Sequence, residues 1–442
     1  MSTLSRYLLF SLFVLASAAA VAQNASFTGA VSDATGARIP SATVIFKSDQ
    51  TGVVLRFLAD EAGFYIAAVP PGSYTVSVSA AGFETLQRLG VPVDVAQSTT
   101  LNYTLKPGNR DDTVTVNSTS EVLQTSSSVG NVVTGEEIAR LPVNGRNYTT
   151  LELLMPGAGD ISEAQSDGTI SGTNLYSING QRTQDNNYLL DGIENDFFHK
   201  SSPGGSPPLD SIAEFRVATD NAAEYGRSVG AAVSLVTKSG TASLHGSVYE
   251  YLRNDDFDAN NFFSNYEGLG RTPLHQNFFG VAIGGPLYPL TRYGSLRKTF
   301  FFLNYDGLRK DQAQTSISTV PTEDERNGDF SALGRNIYDP LTSTYNSAGD
   351  IIRQQFQGNV IPSNRLDPAA KAYLALLPLP NRSGIANNYV NEQPLTNNHD
   401  IYVGRIDHSF NDNNSVFFRV LNQSVEQTTP QDTPFFSGRV EV

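Results

Sequence analysis

From Leu244 onward apolar and polar residues alternate with a period of two, and this limits the possible folds more than any other feature of the chain. Asn277 to Gly285 sets Phe279, Val281 and Ile283 against Phe278, Gly280, Ala282 and Gly284. Thr299 to Arg309 places Leu303 and Tyr305 opposite Asn304 and Asp306. Ile401 to Phe410 places Tyr402, Ile406 and Phe410 opposite Arg405, Asp407 and Ser409. Val416, Phe418 and Val420 resume the pattern after the tight turn Asn411-Asp412-Asn413-Asn414. Leu244 to Arg253 alternates less cleanly, because Glu250 falls on the Leu/Val face. Side chains of a strand point alternately to its two faces, so each run is a strand with one apolar and one polar side.

The first residues have the form of an export signal. Arg6 is followed by the apolar run Tyr7 to Ala20, and Ala20-Val21-Ala22 is a small-x-small cleavage site before Gln23. That run falls short of the about 20 residues a membrane-spanning helix needs. No later segment approaches this length, so any membrane insertion must use strands. Cys is absent, which leaves sheet hydrogen bonding and packing to hold an exported chain together. The formal charge of -14 argues against a nucleic-acid partner, which would need clustered Lys and Arg. With 37 Gly, 19 Tyr and 25 Phe, the composition suits a Gly-turned, aromatic-rich β protein.

Residues 24–107 read as a small antiparallel sandwich. Phe27–Val31, Ala42–Lys47, Val53–Ala59, Gly63–Ala68, Ser73–Ala80 and Thr99–Leu105 are short β-branched or alternating runs. Asp33-Ala34-Thr35-Gly36, Asp49-Gln50-Thr51-Gly52, Asp60-Glu61-Ala62-Gly63 and Pro70-Pro71-Gly72 separate them. Gly29-x-Val31-x-Asp33-x-x-Gly36, Ile39-Pro40-x-Ala42-x-Val44, Asp60-x-x-Gly63-x-Tyr65, Pro71-Gly72-x-Tyr74 and Gly82-Phe83 together resemble the carboxypeptidase-regulatory-like domain. That family groups with the carbohydrate-binding-like sandwiches and carries no catalytic zinc. The chain has only 5 His, none in a His-Glu-x-x-His pattern, and no Ser-His-Asp or paired-carboxylate set stands out. No enzymatic activity, cofactor or metal site is expected.

The β-branched tetrad Thr113, Val114, Thr115 and Val116 follows the polar linker Pro107–Asp112 and reads as an edge strand. A short helix is expected over Val132–Leu141, with Thr134 as its cap, and a second over Thr149–Leu154. Strands are expected at Leu175–Ile178 and Asn187–Leu190, with tight turns at Asn179, Gly180 and at Asp191, Gly192. Ile212 to Lys238 reads as strand, glycine-punctuated turn and strand, carrying Glu214, Glu224, Tyr225, Gly226, Gly230, Thr237 and Lys238. This ordered set resembles the end of the plug domain of TonB-dependent outer-membrane receptors. The resemblance implies that the tetrad is the TonB box, to which a periplasmic energy-transducing protein adds a strand. The alternative is that it forms the first strand of the plug sheet. Glu214, Arg216, Glu224 and Arg227 are expected to pair across the plug or with the barrel wall.

The whole chain resembles Oar-like TonB-dependent receptors. The expected fold is mainly β: signal peptide (1–22), seven-stranded-type sandwich (23–107), TonB box with α+β plug (108–243) and the N-terminal part of an outer-membrane β-barrel (244–442). The long segment Lys310–Asn398, rich in Asp and Asn, is expected outside the cell and tight turns in the periplasm. The implied partners are the transducer, outer-membrane lipid and an outside ligand, for which the sandwich's fold grouping suggests a glycan. The implied function is energy-coupled import, and the alternative is a surface adhesion or secretion-coupled role. A plugged barrel of about 22 strands needs on the order of 500 residues. The chain ends after about five strands and lacks a terminal aromatic, so it is expected to be a fragment that does not transport by itself.

Overall fold

The computed structural model describes residues 25–95, 97–108, 113–117, 123–124, 130–160, 175–197, 202–219, 229–266, 268–288, 298–429 and 438–441. They divide into two compact units. One holds the described residues up to Tyr249, with Phe279–Gly307 and Asp400–Ser424. The other holds Glu250–Phe278, Leu308–His399 and the described residues from Val425.

In the first unit, β1 (Ala25–Asp33), β2 (Thr43–Ser48), β3 (Val54–Leu58), β4 (Phe64–Val69), β5 (Gly72–Ser79), β6 (Thr85–Val93), β7 (Ser98–Thr100) and β8 (Tyr103–Leu105) form a sandwich. Alternate residues of its two layers meet in one core, where the Phe27 and Phe46 rings lie 5.1 Å apart in a tilted contact among Tyr65, Tyr74, Val76 and Leu105. The Asp-x-x-Gly turns close as their residues dictate. Asp33 Oδ1 accepts the Thr35 and Ala37 amides at 2.8 and 2.9 Å, and Asp60 Oδ1 those of Ala62 and Phe64 at 2.9 and 2.8 Å.

Two features correct the sequence reading. β1 pairs parallel with β7 and β8, which is possible because the chain between them is long enough to cross over. The sandwich also has strands beyond seven. β6 was not anticipated, since Gln87, Arg88, Gly90 and Pro92 break its pattern. Two later segments join the layers: β9 (Thr113–Asn117) lies parallel to β6, and β10 (Leu123–Gln124) antiparallel to β7. The sheet orders are β3-β2-β5-β6-β9 and β10-β7-β1-β4, with β8 also on β1.

The next layer comprises β11 (Gly130–Thr134), β12 (Ala158–Asp160), β13 (Tyr176–Ile178), β14 (Asn187–Leu190), β15 (Ile193–Glu194), β16 (Asp196–Phe197), β17 (Ser202–Pro203), β18 (Ile212–Ala218) and β19 (Ala232–Thr237). Five of them form the mixed sheet β11-β18-β19-β14-β15. The two anticipated strands are present and pair antiparallel, with Phe215 opposite Leu235 and Val217 opposite Val233, while the turn expected between them lies outside the described residues. Thr134 caps the helix Gly135–Arg140: its hydroxyl accepts the Glu137 amide and the Glu137 carboxylate accepts the Thr134 amide. The helix starts later than expected, because Val132 and Val133 pair with Arg216 and Phe215 as part of β11. A 3-10 helix over Tyr148–Leu154 buries Tyr148 and Leu151 against Tyr188, Phe215 and Leu235. Both predicted Xaa-Gly turns adopt positive φ at each residue, 53° and 73° at Asn179-Gly180 and 50° and 81° at Asp191-Gly192.

The longest strands follow: β20 (His245–Asn254), β21 (Leu274–Pro286) and β22 (Thr299–Ser318), then the small hairpin β23 (Thr344–Tyr345) and β24 (Ile351–Ile352), then β25 (Tyr389–Asn411), β26 (Asn414–Thr429) and β27 (Gly438–Glu441). Six of them form one sheet in the order β20-β21-β22-β25-β26-β27, which does not close on itself among the described residues. One face of the sheet is apolar and exposed, and the opposite face buries polar side chains beside Phe300 and Phe302. Leu303, Tyr402, Phe410 and Phe418 are exposed at 51, 51, 66 and 66 %, whereas Asn304 and Asp306 are each 4 % exposed. β22 and β25 run well past Arg309 and begin well before Ile401, through polar stretches whose lack of alternation hid them.

The segment 319–388 between them is built by its own hydrogen bonds. Asn388 and Val320 exchange two bonds of 2.9 Å at its neck. Arg326, at the end of a helix capped by Thr322, donates to the carbonyls of Pro321, Leu377 and Pro378. Arg365 holds Asp339 by two bonds of 2.9 and 2.7 Å and pulls its carboxyl down to about 2.

Gly29 gives a direct test of sandwich packing, because a Cβ there would lie 1.8 Å from the Leu101 carbonyl oxygen. Gly29→Ala is expected to destabilise the sandwich by about 1–3 kcal/mol or more, through forced separation of β1 from the Leu101 backbone. Thermal denaturation monitored with probes in residues 25–107 should show an earlier loss of structure. An unchanged midpoint would contradict this packing.

Candidate functional site

The turn after β14 carries Asp191 to the end of β19. Its left-handed backbone lets the carboxylate face back toward Thr237, whose amide donates to Oδ1 at 2.8 Å and whose hydroxyl donates to Oδ2 at 2.7 Å. Two guanidinium groups from the long strands complete the surroundings. Arg405 Nη1 lies 3.0 Å from Oδ1, and Arg419 Nε lies 2.8 Å from Oδ2. Arg405 also donates to the Thr237 carbonyl at 3.0 Å and to Asp407 at 2.8 Å, and Ser239 donates to Asp407 at 2.7 Å. The Arg405 guanidinium stacks 4.6 Å over Phe417.

The Asp191 side chain is 3 % exposed and that of Arg405 11 %. Two carboxylates and two guanidiniums balance in charge, so their burial is compensated only while the set stays complete. The carboxylate of Asp191 accepts hydrogen bonds from three donor groups and forms an ion pair with Arg419, which suits it to holding two layers together.

A second contact lies nearby. Arg146 pairs with Asp210 and sits 4.9 Å over the Tyr249 ring, whose hydroxyl donates to Asp306 at 2.6 Å. Lys238 donates its amide to the Ser211 carbonyl at 2.7 Å. Burial lowers the pKa of its ammonium group, and the neighbouring Asp210 opposes that shift.

A third contact joins β18 to the sandwich. The Val95 amide donates to Glu214 Oε2 at 2.8 Å, and Arg216 Nη1 donates to the Val95 carbonyl at 2.8 Å. Burial raises the Glu214 carboxyl to about 7, opposed by the Val95 amide and assisted by Asp94. Burial also raises Asp94, with Arg216 opposing. Glu214 and Arg216 therefore face the sandwich, not the rest of their own layer or the long strands as expected.

The Thr113–Val116 segment belongs to β9. It forms neither the first strand of the mixed sheet nor a loose linker, but pairs with β6 from Thr85↔Thr113 to Leu89↔Asn117. Val114, with Leu86 and Leu105, lines a shallow pocket at that edge.

Of the residues singled out from sequence, the structure brings Asp191 and Thr237 together and sets Lys238 beside Ser211. Gly180 and Gly192 serve their turns. Gly230 is needed for close approach, since a Cβ there would lie 2.5 Å from Asn186 Oδ1. Tyr225 and Gly226 lie outside the described residues, as do Glu224 and Arg227. Sequence reasoning did not single out Arg405, Arg419, Asp407, Arg146 or Asp210. The available signal was the pair Arg405 and Asp407 on the polar face of an otherwise apolar strand. Among the described residues, no three His, Asp or Glu side chains are arranged to hold a metal ion, and no helix is long and apolar enough to cross a membrane.

The raised Glu214 pKa makes the Val95 contact depend on pH. Burial against the sandwich favours the protonated carboxyl and outweighs the Val95 amide, which favours the ionised form, so the packing of β18 on the sandwich is most favourable below about pH 4.5 and weakens as pH rises through about 7. The distance between fluorophores placed on the sandwich and on the mixed-sheet layer should lengthen or broaden between pH 5 and 8. Glu214→Gln should flatten that response. A pH response equal to that of the parent would remove Glu214 as its cause.

Comparison with known proteins agrees with this architecture. The carboxypeptidase regulatory-like domain family matches residues 26–106, and the outer membrane beta barrel domain family matches residues 236–440. The TonB-dependent transporter Oar of Myxococcus xanthus is 26% identical over 335 residues, covering 71% of this chain and 30% of that protein. Among solved structures, a mutant of the ferric enterobactin receptor of Pseudomonas aeruginosa aligns at a TM-score of 0.36 and 12% identity, over 67% of this chain and 33% of the receptor. The outer membrane transporter YddB of Escherichia coli aligns at a TM-score of 0.33 and 14% identity, over 68% of this chain and 37% of the transporter. The chain thus spans about a third of the length of these relatives, which are transporters and receptors, not enzymes. It is an outer-membrane protein and a homologue of the Oar-type TonB-dependent transporters.

Proposed function

We propose that this protein is a receptor of the outer membrane that imports an outside ligand by energy-coupled rearrangement of an internal plug. The observation that carries this reading is the exposed apolar face of the long-strand sheet, opposite a face that buries Asn304 and Asp306 beside Phe300 and Phe302. Exposed Leu303, Tyr402 and Phe418 suit a lipid-facing surface, and buried Asn304 and Asp306 suit a polar interior. In this reading the six-stranded sheet is the first part of a barrel wall, and the mixed-sheet layer is the plug within it. Asp191, Arg405, Asp407 and Arg419 form the latch between the two. The sandwich lies in the periplasm, and Thr113–Val116 is the segment that the transducer engages. The name of the Oar relative, a TonB-dependent transporter, supports the same assignment.

Two tests address separate parts of the reading. Val114→Pro removes a main-chain donor and fixes φ in the coupling segment. In cells it is expected to abolish transducer-dependent accumulation of a ligand found by screening siderophores and glycans, with surface binding unchanged. Val114→Ala, which keeps the main chain, should be milder. If deleting the receptor leaves accumulation of every screened ligand intact and alters only surface adhesion, import is the wrong activity.

Asp191→Asn removes the charge that compensates two guanidiniums. The latch should weaken by about 3–5 kcal/mol, as expected when one partner leaves a buried ionic set. Faster protease cleavage within residues 130–240 and greater sensitivity of cells to large antibiotics are the expected readouts. Parental behaviour in both would show that the quartet does not hold the plug.

A further inference from the structure

We infer that β9 is presented to the transducer while it remains mounted on the sandwich, so that the partner's strand extends the sheet β5-β6-β9 rather than stripping β9 from it. The inference rests on the reading of Thr113–Val116 as the coupling segment, and it adds where the force is delivered. Three observations carry it.

The first is the geometry of the ladder. β9 pairs with β6 over five residues, in register from Thr113 to Asn117. No strand among the described residues pairs with its other side, and β9 ends the sheet order. Thr113, Val114 and Thr115 are exposed, while Val114 also contributes to the pocket shared with Leu86 and Leu105. The segment is therefore already extended, paired with β6 on one side and carrying no strand among the described residues on the other. A partner strand meeting it need not bear the entropy cost of ordering a flexible peptide.

The second is the chemistry of that edge. Exposed edge strands are normally blunted by Lys, Pro, bulges or a covering loop. Thr-Val-Thr-Val-Asn contains no charge, Pro or Gly. The opposite edge of the same sheet is treated differently: β3 carries Arg56, whose amide donates to the Asp412 carbonyl at 3.2 Å, so a turn of the long strands covers it. Among the described residues one edge of the sheet is covered and the other is not, which suits the uncovered edge to accepting a strand.

The third is the continuation of β6. The strand that carries β9 leads directly to Val95, whose amide and carbonyl are held by Glu214 and Arg216 of β18. β10 returns the linker to the sandwich through Leu123 and Gln124 on β7. A pull on a mounted β9 therefore passes into β6 and, through Val95, into β18 of the mixed sheet. The sandwich becomes part of the force path.

The test uses the absence of native Cys. Gln87→Cys and Thr115→Cys, which are register partners, allow an oxidised lock of β9 to β6, checked by mass and by gel mobility before and after reductant. The probe is the purified periplasmic domain of a TonB-type transducer, titrated against the full chain in detergent. The locked protein is expected to bind it within about twofold of the reduced protein, while Val114→Pro binds at least about tenfold more weakly. Val114→Ala, with intact main-chain donors, shows that any loss is not due to misfolding. If the lock abolishes binding and reductant restores it, β9 must leave the sandwich and the inference is wrong. If Val114→Pro binds like the parent, the coupling segment lies elsewhere, and both the assignment and this inference fall.

Discussion

Asp191 is where the first unit is tied together. A carboxylate offers a limited set of lone pairs, and here they accept from the amide and hydroxyl of Thr237 and from Arg405, while Arg419 adds an ion pair. Each donor comes from a segment that must already be folded: the end of β19 and two neighbouring long strands. The set is therefore cooperative in assembly. None of its members tolerates burial alone, so the mixed sheet and the long strands are stable against each other only when both are in register.

The same logic explains the polarity of the long-strand sheet. Asn304 and Asp306 are affordable in the interior because polar partners face them, as Tyr249 faces Asp306 and the Val281 carbonyl faces Asn304. The side chains on the other face meet mainly one another, as Tyr305 meets Phe279 at 6.1 Å and Tyr402 at 5.0 Å, and leave Leu303, Phe410 and Phe418 largely exposed. The 20- and 23-residue strands β22 and β25 each have a hydrogen-bonded neighbour on both sides, which gives their backbone groups partners within the sheet.

Much of this was legible in the residues. Period-two alternation located the long strands and their faces, Asp-x-x-Gly located the sandwich turns, and Thr134 with Glu137 located a helix start to within a few residues. The misses have physical causes. β6 is held by β5 on one side and β9 on the other, so its polar and Pro/Gly-containing residues survive without a strand pattern of their own. β22 and β25 extend through polar residues because ladder pairing, not side-chain polarity, sustains them there. Asp191-Gly192 was readable as a turn from its backbone needs, but its ionic role depends on Arg405 and Arg419, more than two hundred residues later. No local pattern encodes such a meeting.

The neck formed by Val320 and Asn388 has a consequence for how such a protein diversifies. Two reciprocal side-chain to main-chain bonds close the segment 319–388 at its base, and Arg326 and Arg365 hold its interior by contacts within the segment. Length or composition can then change inside the neck without shifting the register of β22 against β25, because loop closure costs grow only slowly with loop length. The segment is in this sense a cassette that can be exchanged in one piece while the strands at its base keep their alignment.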